Sequence, residues 1–120
     1  MRVISTTIEA GETQTESIPQ NEQALVGITA GSNITAENIG FLVSLDGNNF
    51  SPLYDELFSS SVEVLFDTSA SYIRAFVFDP LVMYPWTHIK IREGTSASAV
   101  AQSASDGAAT FKLSFRNKQE

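Results

Sequence analysis

The sequence predicts an all-β fold: an antiparallel β-sandwich of jelly-roll-like form with about eight strands in its 120 residues. Three observations carry that expectation. Short runs rich in β-branched and aromatic residues alternate apolar with polar side chains. Clusters of Gly, Pro, Asn, Asp and Ser separate most of those runs. No stretch keeps an i, i+3, i+4, i+7 apolar pattern over three helical turns.

The first run, residues 2–8, is β-branched and alternating. Residues 10–21 are rich in Thr, Glu and Gln. Residues 1–22 therefore read either as an N-terminal arm or as a first strand followed by a polar loop. An arm of that kind could add to the sheet edge of a neighbouring subunit. A second strand covers 23–29 and ends at Gly31. The run 39–45 is closed by Asp46-Gly47-Asn48-Asn49, which reads as a hairpin turn with Gly47 at positive φ. Further strands are expected over 50–54, 61–66, 72–78, 87–92 and 110–116. One short helical turn fits 79–85. The Ala/Ser stretch 95–106 is compatible with a helix, a loop or an edge strand. Residues 1–120 read as one domain.

Composition excludes several classes. Hydrophobic residues make up 42% and charged residues only 18%, which places the chain among globular rather than disordered proteins. There is no cysteine, so thiolate metal sites, thiol nucleophiles and disulfides are out of reach. One histidine cannot build a His-rich metal centre. The net charge of −7 argues against a phosphate-driven nucleic-acid binder. The apolar runs are too short for a membrane-spanning helix, and no targeting segment is visible.

The charge is unevenly spread. Residues 1–70 hold ten acids and one base, whereas residues 71–120 hold four acids and six bases. The split is expected either to neutralise within one sandwich or to serve association between acidic and basic faces.

No side-chain set suggests catalysis, and no cofactor or metal is expected. Asp55 and Glu56 are adjacent and would face opposite ways on a strand. Glu63 is expected to point to solvent, because Val62, Val64 and Phe66 would share the buried face. His88 lacks a Gly-x-Ser-x-Gly partner element. His88, Lys90 and Arg92 share one strand face and read as an exposed basic strip. Met83-Tyr84-Pro85-Trp86 is the most informative local cluster, with Trp86 expected as a lid over one end of the core and Tyr84 left open.

Two segments resemble a known family. Ser44 to Asp55, with its Asp46-Gly47 turn and Phe50-Ser51-Pro52-Leu53-Tyr54, resembles a hairpin of small β-sandwich structural proteins of tailed bacteriophages. Asp79-Pro80, Pro85-Trp86, Ile89-Lys90-Ile91-Arg92, Gly94-Thr95-Ser96-Ala97 and Val100-x-Gln102 resemble the C-terminal part of the same proteins, so that the resemblance covers about Phe41 to Arg116. This chain departs from the pattern after Asp55, where Leu57 and Phe58 replace a short Gly turn and add an apolar contact. The resemblance implies a non-enzymatic virion component, most directly a capsid decoration (cement) protein at the capsid surface, made in the host cytoplasm. Its expected partners are the major capsid protein and further copies of itself, as a trimer or dimer. Arg2, Val3, Ile4, Leu57, Phe58, Met83, Tyr84, His88, Lys90 and Arg92 are the expected interface residues. The alternatives are a tail accessory subunit or a carbohydrate-binding module. The latter is suggested because the Ile89–Arg92 strand also resembles discoidin-like sandwiches, and it would expose Tyr84 on a loop.

Overall fold

A computed structural model describes residues 2–57, 60–69, 74–77 and 79–118. Phe58 lies outside the described residues, as do residues 72, 73 and 78 of one expected strand.

The chain forms two antiparallel sheets with a jelly-roll-like strand order. One sheet runs β1-β11-β3-β9, built from β1 (Arg2–Ile8), β11 (Ala109–Asn117), β3 (Gln23–Ala30) and β9 (Arg74–Val77). The other runs β2-β10-β4-β5, built from β2 (Ile18–Pro19), β10 (His88–Glu93), β4 (Asn38–Ser44) and β5 (Ser51–Pro52). Successive strands from β1 to β4 switch sheets, and so do successive strands from β8 (Phe66–Asp67) to β11. The chain thus wraps around the core rather than folding as a meander.

The edge strand beside β4 is split. β5 pairs with Leu42 and Val43, whereas β8 (Phe66–Asp67) pairs with Asn38 and Ile39 at the other end of β4. Between them a hairpin, β6 (Tyr54–Leu57) and β7 (Ser60–Glu63), leaves the sheet. The runs expected at 50–54 and 61–66 are therefore each shared between the sheet edge and this excursion.

Alternation explains which side chains enter the core. On β11, Ala109, Phe111, Leu113 and Phe115 are buried while Thr110, Lys112 and Arg116 are exposed. On β3, Leu25 and Ile28 are both buried although three residues apart. A register shift makes this work: Phe115 pairs with Leu25 and Ser114 with Gly27, so Val26 is an extra residue that resets the inward phase. Ile8, Ile39, Phe41, Ile89 and Ile91 complete the centre of the core with no more than 0% exposure.

The sandwich is closed along both sides by side chains. On one side the Arg2 guanidinium donates to the Pro19 carbonyl at 3.0 Å and lies 4.4 Å from the centre of the Phe115 ring, linking β1 to β2. On the other, Phe66 of β8 stacks on Phe76 of β9 with ring centres 4.5 Å apart, and meets Phe41 edge-on at 5.6 Å.

The polar segment after β1 proves more ordered than a loop. Glu93 N–H donates to the Thr13 carbonyl, Thr15 N–H to the Ile91 carbonyl, and Gln20 N–H to the Thr87 carbonyl, each at 2.9 Å. Residues 13–20 therefore track the edge of β10, with β1 paired to β11 in the chain's own sheet. Only Thr15, Ile18 and Gln20 face inward, a spacing that breaks the strand period and hid this edge from the sequence. Residues 95–106 contain no helix. They form turns, with a bridge between Gly94 and Ala99.

Two buried glutamines pin these connections. Gln20 Nε2 donates to the carbonyls of Met83 (2.9 Å) and Trp86 (2.7 Å), and its Oε1 accepts from Leu25 N–H (2.8 Å). Gln102 Nε2 donates to the carbonyls of Asn33 and Gly107 at 2.7 Å each, and its Oε1 accepts from Thr35 N–H at 3.1 Å. Each amide thereby satisfies three backbone groups that no strand ladder reaches.

Replacing Gln20 with Leu preserves volume but strands those three partners. We expect a loss of roughly 2–5 kcal/mol in unfolding free energy, measured by chemical denaturation.

Candidate functional site

The expected interface residues do not form one surface. Arg2, Val3 and Ile4 lie on β1, Met83 and Tyr84 at the end of α1 (Pro80–Met83), and His88, Lys90 and Arg92 on β10 of the other sheet. Val3 is 62% exposed, whereas Ile4 and Tyr84 are half-buried and pack against the core. Leu57 ends β6, beside the undescribed Phe58.

Two of these residues are corrected from surface to interior. Met83 has no exposed area, because α1 folds over one end of the sandwich and turns it inward. Asp79 starts that turn by accepting from Leu81 N–H at 3.0 Å, and Pro80 follows at the first helical position. Arg92 is buried because the β6–β7 hairpin folds back onto the outer face of β4 and β10. There Glu63 forms an ion pair with Arg92, and both side chains are almost sealed from solvent. The phase expected for Glu63 is also reversed: Val62 is 50% exposed and Glu63 points in. The hairpin belongs to neither main sheet, so its inward face is set by Arg92 rather than by the apolar core.

Gly40 permits that closure. It sits opposite Arg92 in the ladder, and a Cβ there would collide with the guanidinium. Glu63 also accepts from Ser96 N–H at 3.1 Å and from the Ser96 hydroxyl at 3.0 Å, while the Tyr54 hydroxyl meets Ser96 Oγ at 2.9 Å. The basic strip is thus reduced to His88 and Lys90. The His88 ring packs against Gly47, and the Lys90 ammonium lies 4.4 Å from the Phe50 ring centre.

The Asp46 turn has the expected hairpin chemistry. Gly47 has φ of 82°, and Asp46 Oδ1 accepts from the N–H groups of Asn48 and Asn49 at 2.8 Å each. Asn49 Nδ2 donates to Asp46 Oδ2 at 2.8 Å, and the Ser44 hydroxyl donates to Oδ1 at 2.9 Å. These donors, led by the Asn49 and Asn48 backbone N–H groups, hold the Asp46 carboxyl well below the usual carboxylate range.

That turn forms one wall of a cleft of about 460 Å³. Trp86, Tyr54, Leu45, Pro52, Asp46 and Asn49 line it, with Val43, Leu53 and two serines at its base and rim. Tyr54 is 48% and Leu45 67% exposed. Neither was legible as a site residue, because the cleft exists only once the split edge strand brings β6 beside the β4–β5 turn.

A different surface covers the outer side of the β1-β11-β3-β9 sheet. Its rows are Val3–Ser114–Gly27–Val77 and Ser5–Lys112–Thr29–Ala75, flanked by Thr7 and Thr110. Val77 is 84% exposed. Every side chain in these rows except Lys112 is small or β-branched and uncharged. A hollow of about 420 Å³ opens on it between Ser5, Thr7, Thr29, Thr110 and Lys112. Glu9, Glu12 and Glu16 gather around a further hollow beyond the end of β1.

Among the described residues Glu93 is the one carboxylate with no exposed surface. Its Oε1 accepts from Ala36 N–H at 2.9 Å, and Oε2 has no partner among the described residues. Desolvation by burial pushes its carboxyl up, partly opposed by the Ala36 and Thr35 N–H groups, and nearby Asp106 pushes in the same direction as burial. Among the described residues no three His, Asp or Glu side chains converge as a metal site, and no helix is long and apolar enough to cross a membrane. Comparison with protein-family models, curated proteins and solved structures yields no match for this chain.

Two outcomes follow from these carboxylates. Glu63→Ala leaves Arg92 buried without its counter-charge and should cost about 3–5 kcal/mol in denaturant unfolding, while the pair replacement Glu63→Leu/Arg92→Met should recover most of that. Because the native Glu93 carboxyl is raised above its unfolded value, its contribution is full below the unfolded pKa and is lost as pH rises through the native one. The stability of Glu93→Gln relative to the parent should therefore increase from pH 4 towards pH 8 in thermal unfolding.

Proposed function

We propose that this chain is a structural virion protein of a tailed bacteriophage, a capsid decoration or cement subunit that binds the shell and stabilises contacts between capsomers. The observation that carries the reading is the outer face of β1, β11, β3 and β9, whose central rows hold small or β-branched side chains. Interface centres are depleted in charge, and the two central rows of this face carry one charge, Lys112, with Arg116 a second at the end of β11. Val3 and Val77 stand fully outward on it at 62% and 84% exposure. A solvated sheet face of this size would normally carry several charges.

The resemblance of residues 44–55 and 79–102 to phage structural proteins supports the same reading. So does the jelly-roll-like order, although that order hosts many functions and cannot identify one alone. In this reading the partner is the major capsid protein, and the symmetry of the shell favours a cyclic homo-oligomer, a trimer or dimer. Binding only to the assembled shell would stabilise it by mass action. The location is the capsid surface, after synthesis in the host cytoplasm. The function requires no catalytic residue, and no nucleic-acid or membrane contact.

Electron microscopy of the source particle tests the proposal: density for this chain on the capsid faces is the expected result, and density absent from the capsid refutes it. With shells purified free of the protein, the double variant Val3→Glu/Val77→Glu should bind at least about tenfold more weakly, since two carboxylates would be desolvated at the contact. Both positions are exposed, so thermal stability should change little.

A further inference from the structure

The geometry points to the cleft between the Asp46 turn, β6 and Trp86 as a binding site for a neutral hexopyranose unit. This surface lies on the β4–β5 side of the other sheet, so the inference stands independently of the shell-binding face. Its volume, about 460 Å³, falls in the range of small-ligand sites and suits one or two sugar rings.

The lining divides as a sugar does. A pyranose presents patches of C–H carbon and a rim of hydroxyls. Tyr54, Trp86, Leu45 and Pro52 supply the carbon side. The polar ends of both rings are already engaged: Trp86 Nε1 donates to the Val82 carbonyl at 3.1 Å, and the Tyr54 hydroxyl meets Ser96 Oγ at 2.9 Å. Those bonds orient the rings and leave their carbon surfaces for the cleft.

Asp46 and Asn49 supply the polar side. The turn donors hold Asp46 ionised and fixed, so no reorganisation is needed when a ligand arrives. Asn49 Nδ2 is the one donor to Oδ2 among the described residues, which leaves that oxygen capacity for a sugar hydroxyl. Hydroxyl-to-carboxylate bonds are short and roughly twice as strong as neutral ones. An anionic sugar would be repelled by Asp46, which is why the site is assigned to neutral rings. Tyr54 and Trp86 line the cleft and Tyr84 does not, although Trp86 packs against the core as Tyr84 does.

The chain has a single tryptophan, so its emission reports on this cleft directly. The test is a titration with the methyl glycosides of glucose, galactose, mannose and N-acetylglucosamine, to about 20 mM, above the millimolar range of single-ring affinities. Emission and amide NMR shifts are recorded together. At least one glycoside should shift Trp86 emission and move amide signals confined to residues 44–54 and 84–87. Tyr54→Ala should weaken that binding about tenfold and Tyr54→Phe less than about twofold, because the ring and not the hydroxyl makes the contact. Leu45→Arg, at a 67% exposed position, fills the cleft without touching the core and should also abolish it. Absence of any response to all four glycosides overturns the proposal. Binding that is unchanged in both Tyr54→Ala and Leu45→Arg overturns it too.

Discussion

The Arg92–Glu63 ion pair is the contact on which the candidate cleft depends. It draws the β6–β7 hairpin back over the sheet that hairpin has left, and it does so across Gly40, where any side chain would occupy the space of the guanidinium. A buried pair of this kind gains little net stability, since desolvation of both ions offsets their attraction. Its consequence is positional. Glu63 has further donors in Ser96, and Ser96 in turn meets the Tyr54 hydroxyl. One wall of the cleft is thereby tied to β10 through three side chains rather than through a strand ladder.

The same logic recurs at both ends of the sandwich. A jelly-roll-like order makes the chain cross repeatedly between sheets, and each crossing leaves backbone groups outside any ladder. Gln20 gathers the α1 end and Gln102 gathers the opposite connections, each through two donors and one acceptor. Glu93 is a third buried polar group, held by the Ala36 N–H but with one oxygen unmatched. Side closure uses Arg2 against Phe115 and Pro19 on one flank and stacked Phe66 and Phe76 on the other. Polar and aromatic side chains therefore do at the margins what alternating aliphatics do in the core.

The two proposals concern two surfaces of different chemistry. The central rows of the outer face of β1, β11, β3 and β9 hold small or β-branched side chains and one charge, as a protein-contact face would. The Trp86–Tyr54 cleft is concave, with carbon on one side and an oriented carboxylate on the other, as a small polar ligand requires. A shell-bound subunit that also holds a sugar would need such a separation. The charge asymmetry of the sequence persists in three dimensions only in part: Arg92 is spent internally on Glu63, and Arg2 on Phe115 and Pro19, while Glu9, Glu12 and Glu16 remain together beyond β1.

Alternation by itself determined the strands that carry the core. β1, β3, β4, β10 and β11 were each legible within a residue or two, as were the helical turn of α1 and the Asp46-Gly47 hairpin. In β1 and β11 one face is buried continuously, so the apolar period records the geometry directly, whereas β4 and β10 read as apolar runs with consecutive buried residues and β3 carries the bulge at Val26. Tertiary structure alone decided the rest. The edge formed by residues 13–20 is held by backbone bonds to β10 with only three inward side chains, so it carries no period. The orientation of Glu63 follows a distant arginine, and Met83 and Arg92 are buried by elements that fold over them from elsewhere in the chain. The cleft joins residues more than thirty positions apart in sequence, Tyr54 and Trp86, through a hairpin docked by an ion pair. No local pattern encodes contacts whose partners are chosen by the way one segment packs onto another.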